Sequence, residues 1–396
     1  MPAEVATAAN VLWTCVRAAG DPVPDELLPS ASAEGWSDLP AAAYLHSSAP
    51  AAYLSLRGSA SVPAPVLADL RTRYDAAFRH HLLTWDVLRQ VTTLLDDAGI
   101  DHVALKGPVL AETAYPRPDL RQYGDLDVLV RPTQFEAALH VLEAAGATLI
   151  ESNWELVLHL LKGELNLVMP QGIVVDLHWS VAYNDEIRQG FRWSDERFVD
   201  RATRVRVGGD EISVPDPVDQ LLHLCAHACL AGAHRLGWLQ DVRFAATRTP
   251  IDWPRFWARA ERRRLTLPAV VVLERVERCF GSAVAEVPRG GGAWRELAEG
   301  LDRVRPPWRW TGGPMSAHVF AASTRTSSRT SLAALRRAVG ASVDEVAHDR
   351  AHPLRPAWLR EAGNDGINEM CRPVGGLSTR RAYFRAVAGA GRPVSP

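Results

Sequence analysis

Apolar residues recur at three- and four-residue spacings through much of the first 95 residues, as at Val11-Leu12, Leu82-Leu83, Val87-Leu88 and positions 91–95. That is the period of amphipathic helices that bury one stripe. Pro-, Ser- and Ala-rich stretches near 22–40 and 58–65 interrupt it, so residues 1–95 read as an accessory helical subdomain. From Ile100 the period changes. Residues 102–105 form a short apolar strand, Lys106-Gly107-Pro108 a turn, and Pro108 opens a helix to about Ala114, where its fixed φ and missing N–H cost nothing. A polar loop over 115–123 precedes a strand at 126–130. Pro132 then opens an amphipathic helix that runs to Ala145 and is stopped by Gly146. Two β-rich runs at 165–169 and 173–179, joined by Pro170-Gln171-Gly172, predict a hairpin. A shorter hairpin is predicted around Gly208-Gly209, with helices over 219–230, 236–246, 253–264 and 268–280.

These elements predict an α/β (α+β) fold: a small mixed sheet with flanking helices, between helical segments at both ends. The expected domains are 1–95, 96–215 for the sheet, 216–288 for a helical substrate-side domain, and 289–396 for a mixed, partly irregular region beginning at the Gly290-Gly291-Gly292 run.

Composition narrows the function classes. Lys plus Arg total 44 against 46 acidic residues, so no general field draws the chain to nucleic acid or to an anionic membrane. Neither is an expected partner. The five cysteines are odd in number and contain no C-x-x-C pair, which argues against a disulfide framework or a thiolate zinc site. With no basic leader and no long apolar run, a cytoplasmic location is expected. Of the 44 basic residues only Lys106 and Lys162 are lysines. Against so strong a preference for arginine, a retained lysine points to a place that needs a compact ammonium.

Three pieces of sequence carry candidate chemistry. Asp125-Leu126-Asp127 places two carboxylates at i and i+2 on a strand, hence on one face. Like charges so placed call for a cation, and hard oxygen ligands suit Mg²⁺. In Val174-Val175-Asp176-Leu177-His178, an acid and an imidazole share one face of an otherwise apolar strand, where a buried carboxylate needs a partner. The strand-to-helix turn at Lys106-Gly107 brings backbone N–H groups and a helix N-terminus toward an anion, without the spacing of a P-loop.

In this order the pieces resemble the polymerase beta-like nucleotidyltransferase superfamily. The stretch Leu105-Lys-Gly-Pro, then Tyr115-Pro-Arg-Pro-Asp-Leu-Arg-Gln-Tyr-Gly-Asp-Leu-Asp-Val-Leu-Val130, followed by Val175-Asp-Leu-His-Trp179, is similar to the bacterial family of uncharacterised nucleotidyltransferases over roughly residues 100–245. The resemblance implies transfer of a nucleoside monophosphate from an NTP, ATP being the expected donor, to a hydroxyl acceptor, with pyrophosphate leaving. It implies two Mg²⁺ ions held by Asp125, Asp127 and Asp176, which are also the expected catalytic residues. Lys106, Gly107, Arg121 and His178 are the expected nucleotide-binding residues. Where many superfamily members carry Gly-Ser or Gly-Gly at the turn, this chain has Gly107-Pro108.

Two rival readings stay open. A silent nucleotide sensor or partner-binding module of the same fold is compatible with the Gly-Pro turn. A zinc hydrolase is compatible with His223 and His227 at i and i+4, with His234 and Asp241 downstream, although no Glu completes an H-E-x-x-H motif.

Overall fold

The computed structural model describes residues 8–192, 195–281, 292–304 and 369–390, with isolated positions between 287 and 351. Gly290 and Gly291 of the predicted linker, Trp308, Trp310 and most of the expected irregular region lie outside the described residues.

In chain order the helices are α1 (Ala8–Ala18), α2 (Ala33–Leu45), α3 (Ala49–Leu56), α4 (Ala64–Asp97), α5 (Gly107–Ala114), α6 (Phe135–Ala144), α7 (Trp154–Leu160), α8 (Asp185–Phe191), α9 (Asp195–Asp200), α10 (Pro217–Leu230), α11 (Leu236–Arg248), α12 (Trp253–Arg262), α13 (Thr266–Phe280), α14 (Gly292–Val304) and α15 (Leu377–Ala390). The strands are β1 (His102–Ala104), β2 (Asp125–Val130), β3 (Thr148–Leu149), β4 (Glu164–Val168), β5 (Val174–His178), β6 (Thr203–Val207) and β7 (Asp210–Val214). The expected mixed α/β fold is present, with both predicted hairpins in place. The helix expected from Pro132 starts as a 3-10 turn over Pro132–Gln134, and α6 proper begins at Phe135.

The chain forms two units, each discontinuous in sequence. One comprises Met1–Arg79, Ala114–Tyr123 and Leu221–Ala362; the other comprises His80–Thr113, Gly124–Gln220 and Gly363–Pro396. The first is helical, with α1 burying Val11, Leu12, Cys15 and Val16. On α13 the fully buried Arg275 is satisfied by Asp302 and by the carbonyls of Gly232 and Ala233. A buried guanidinium is tolerated only when its donors are met in this way.

The second unit holds a five-stranded sheet in the order β1-β2-β5-β4-β3, with β2 and β5 parallel and the other neighbours antiparallel. Alternation sorts its side chains. Leu126, Val128 and Val130 of β2, Val175 and Leu177 of β5, and Leu165 and Leu167 of β4 face one core, which is covered by Val87, Leu88, Val91 and Leu95 of α4 and by residues of α6 and α15. The opposite face is covered at the β1 end by Phe198 and Val199 of α9 against Val103, Leu105 and Leu129. At its centre that face is polar.

Helix α15 arrives about 200 residues after the sheet is complete, yet Tyr383, Phe384 and Val387 sit inside its core. The Tyr383 hydroxyl donates to the Lys162 carbonyl at 2.6 Å and accepts from Trp179 Nε1 at 3.0 Å. Tyr383→Ala is therefore expected to cost about 3–5 kcal/mol in urea unfolding, and Tyr383→Phe about 1 kcal/mol, as the ring volume and the hydroxyl are removed in turn.

Candidate active site

The polar centre of the sheet is built by register. Asp127 on β2 lies directly opposite Asp176 on β5, and Asp125 and Val174 form the pair two residues earlier on the same face. On the next strand Asn166 pairs with Asp176, and Glu164 with His178. Three adjacent strands thus present Asp125, Asp127, Asp176, His178, Asn166 and Glu164 on one face, while their neighbours in sequence fill the core.

Asp127 is 2% exposed. Its Oδ1 receives Lys106 Nζ at 3.0 Å and His178 Nε2 at 3.2 Å. Its Oδ2 is buried and has no hydrogen-bond partner. Burial alone would raise its pKa, but the Lys106 ammonium and the His178 hydrogen bond hold it far below the usual carboxylate range. His178 Nδ1 meets the Ser180 carbonyl at 3.2 Å and Glu164 Oε2 at 3.3 Å. Both ring nitrogens therefore face groups that only accept, which requires an imidazolium. Burial opposes that charge, yet Asp127, Glu164 and Asp176 raise the His178 pKa to about 9.

Asp176 goes the other way. Burial, followed by the fields of Asp127, Asp125 and Glu164, pushes its carboxyl up to about 7. A carboxyl held protonated by neighbouring carboxylates is the signature of a site short of positive charge. Ligand-type atoms of Asp127, Asp176 and His178 lie within 4.8 Å of one another, and with His178 an imidazolium the two carboxylates are the ones with lone pairs to give a metal ion. Asp125 lies outside that group and lines the adjoining cavity. The orphaned Asp127 Oδ2 and the raised Asp176 fit a hard divalent cation bound through carboxylate oxygens.

The glycine turn lies against this cluster. The Leu105 N–H donates to the Asp127 carbonyl at 3.0 Å, and the chain then bends at Gly107 with φ +56°. A β-carbon there would sit 3.5 Å from the Asp125 carbonyl oxygen, so space is adequate and the left-handed backbone is what demands glycine. Gly107→Ala is expected to cost about 1–2 kcal/mol by chemical denaturation.

On the β4 side a cavity of about 570 Å³ is lined by Asp125, Glu151, Lys162, Glu164, Asn166, Asp176, Tyr183, Met370 and Cys371, among others. Lys162 Nζ donates to Glu151 Oε1 at 2.5 Å and to Asn166 Oδ1 at 2.7 Å. The Asn166 amide donates to Asp176 Oδ1. Met370 and Cys371 are held there by hydrogen bonds from Ser152 and Asn153 to their carbonyls.

The sequence profile of the family described as uncharacterised nucleotidyltransferase matches residues 32–281. The chain belongs to that family. Membership assigns the nucleotidyltransferase its enzyme class and, in general terms, nucleotidyl transfer as its chemistry. A solved structure of the Thermotoga maritima CCA-adding enzyme complexed with tRNA is similar at 13% identity, covering 78% of this chain and 84% of that one, with a TM-score of 0.23. No curated protein matches. Among the described residues no helix of the nucleotidyltransferase is long and apolar enough to cross a membrane.

Of the residues expected to bind nucleotide, Lys106 and His178 stand on Asp127, and Gly107 forms the bend. Arg121 has its partner elsewhere in the chain. It belongs to the first unit, where its guanidinium makes a bidentate pair with Asp241 at 2.7 and 2.9 Å, and the Tyr115 hydroxyl also donates to Asp241 at 2.6 Å. That buried pair gives the arginine of the 115–123 loop a structural contact within the first unit. It also removes Asp241 from the zinc-hydrolase reading: among the described residues, His223, His227 and Asp241 form no metal-binding group in this nucleotidyltransferase. Glu151, Glu164, Asn166 and Lys162 were not expected at the site, although the scarcity of lysine had marked Lys162 as unusual. Breaking the anchor by Arg121→Ala is expected to destabilise the protein by about 3–5 kcal/mol, measured by urea unfolding, because Asp241 is left charged and buried.

Proposed function

We propose that the protein transfers a nucleoside monophosphate, AMP from ATP in the first instance, to the hydroxyl of a small molecule, using Mg²⁺ held by Asp125, Asp127 and Asp176. The observation that carries the reading is the pairing of Asp127 and Asp176 across parallel strands, with one carboxylate oxygen orphaned and the second carboxyl raised to about 7. Bound Mg²⁺ supplies charge neutralisation for the phosphates and for the two carboxylates at once, and sites of this chemistry commonly use two ions.

The remaining work falls to this chain's residues. Lys106 and the amides around the Gly107 bend lie on the β1 side of the carboxylates and suit a triphosphate. The cavity opens from Asp125 of β2 and Asp176 of β5 toward Glu164 and Asn166 of β4, away from Lys106. Phosphoryl-type transfer needs attacking and leaving oxygens roughly in line, and this layout suits donor on one flank and acceptor on the other. The cavity volume falls within the range of small-molecule pockets, which favours a small acceptor over a protein side chain. Asp176, which lines the cavity, is placed to take the proton from the acceptor hydroxyl. His178 keeps Asp127 oriented through its Nε2–H.

The direct test incubates the protein with each labelled NTP, Mg²⁺ and host extract, and follows labelled adduct and pyrophosphate. Adduct formation that Asp127→Asn abolishes supports the reading. NTP binding with no turnover for any nucleotide would favour the sensor instead.

A second test uses pH. The folded chain raises the Asp176 pKa above its ordinary 3.8, so that contribution to stability is present below this value and lost as pH rises through about 7. His178, raised from 6.5 to about 9, contributes below 6.5 and loses that contribution as pH rises through about 9. The metal-free protein should therefore lose melting temperature from mildly acidic to mildly alkaline pH. Millimolar Mg²⁺ should restore more of it near about pH 8 than near about pH 5.5. Asp176→Asn should raise the metal-free melting temperature at the higher pH and remove the Mg²⁺ increment. An equal increment at both pH values, or one that survives Asp176→Asn, would contradict the metal assignment.

A further inference from the structure

Both lysines of the chain enter the same polar face, Lys106 on Asp127 from one side and Lys162 two strands away on the other. The Lys162 side chain is 4% exposed and meets Glu151 Oε1 at 2.5 Å, Asn166 Oδ1 at 2.7 Å and Glu164 Oε1 at 3.7 Å. Its backbone is fixed as tightly. The Lys162 N–H donates to the Val157 carbonyl at 3.0 Å, and its carbonyl accepts from Trp179 Nε1 at 2.7 Å and from the Tyr383 hydroxyl at 2.6 Å.

This arrangement decides which way an amide points. An ammonium has only donors, so the Asn166 atom against it must be the carbonyl oxygen, and the NH₂ group must face Asp176. The Asn166 main-chain N–H is held in turn by Glu151 Oε2 at 2.9 Å. Glu151 therefore grips both the lysine and the asparagine. The bond from Asn166 Nδ2 caps Asp176 Oδ1.

We infer that Lys162, anchored by Glu151, is a positioning residue: it locks the Asn166 amide so that this amide fixes the Asp176 carboxylate for the metal. The inference rests on the proposed metal site. A compact ammonium fits the role because its donors converge on three oxygens from one point, whereas a planar guanidinium would spread its donors beyond them. Partners of metal ligands typically alter metal affinity about 10–100-fold when removed.

The test uses Mn²⁺ alone, with free ion measured by electron paramagnetic resonance on the full-length protein, so no acceptor or nucleotide is needed. Asn166→Ala and Lys162→Met are each expected to weaken Mn²⁺ binding by about tenfold or more. The double variant should be no weaker than Asn166→Ala, because Lys162 acts through Asn166. A melting curve of each protein checks that it is folded; wild-type affinity in folded Lys162→Met would overturn the inference, and if that variant fails to fold, wild-type affinity in Asn166→Ala would do the same. Wild-type affinity in folded Asn166→Ala, or additive losses in the double variant, would overturn the inference while leaving the metal site standing. A wild-type protein that binds no Mn²⁺ would overturn the metal reading and this inference with it.

Discussion

Two carboxylates set side by side on neighbouring parallel strands, Asp127 and Asp176, are the constraint around which the rest of the site is arranged. Electrostatics gives such a pair few outcomes: a proton on one of them, cations around them, or both. This fold uses both. Lys106 and the imidazolium of His178 hold Asp127 ionised, while burial and then the field of Asp127, Asp125 and Glu164 keep a proton on Asp176 to about neutral pH.

The surrounding structure can be read as support for that pair. One face of β2, β4 and β5 is fully apolar and fixes the register, because a slip of one residue would turn the acids into the core and the valines and leucines toward the site. Gly107 lets the chain leave β1 in a left-handed bend against Asp125 and Leu126. On the far side, the C-terminal segment and α15 pin the strand of Trp179 and the turn of Lys162, and so steady the residues behind Asp176. A helix far along the chain thus belongs energetically to the site. In the first unit the buried Arg121–Asp241 pair does comparable structural work.

Much of this was legible in the residues. The i, i+2 spacing of Asp125 and Asp127, the acid in the middle of an apolar strand at 176, and the glycine before a helix each have a physical meaning independent of context. The two hairpins follow from Gly172 and from Gly208-Gly209, of which Gly172 and Gly208 adopt positive φ. What was not legible depends on contacts between distant stretches. Nothing local says that α15 completes a core built about 200 residues earlier, or that Arg121 pairs with Asp241. Glu151, Glu164 and Asn166 carry no motif; their meaning comes only from strand register and from the turn that brings Lys162 among them. Short elements such as β3 and α7 escaped for the same reason, since their few residues show no resolvable period.

The central claim is that the polar face completes its charge with a divalent cation between β2 and β5. Anomalous diffraction from crystals soaked in Mn²⁺ tests it most directly. The account predicts a peak within bonding distance of both Asp127 and Asp176, with the once-orphaned Asp127 oxygen among the ligands. No peak there, or one bound elsewhere while Lys106 and His178 remain the whole environment of Asp127, would contradict it.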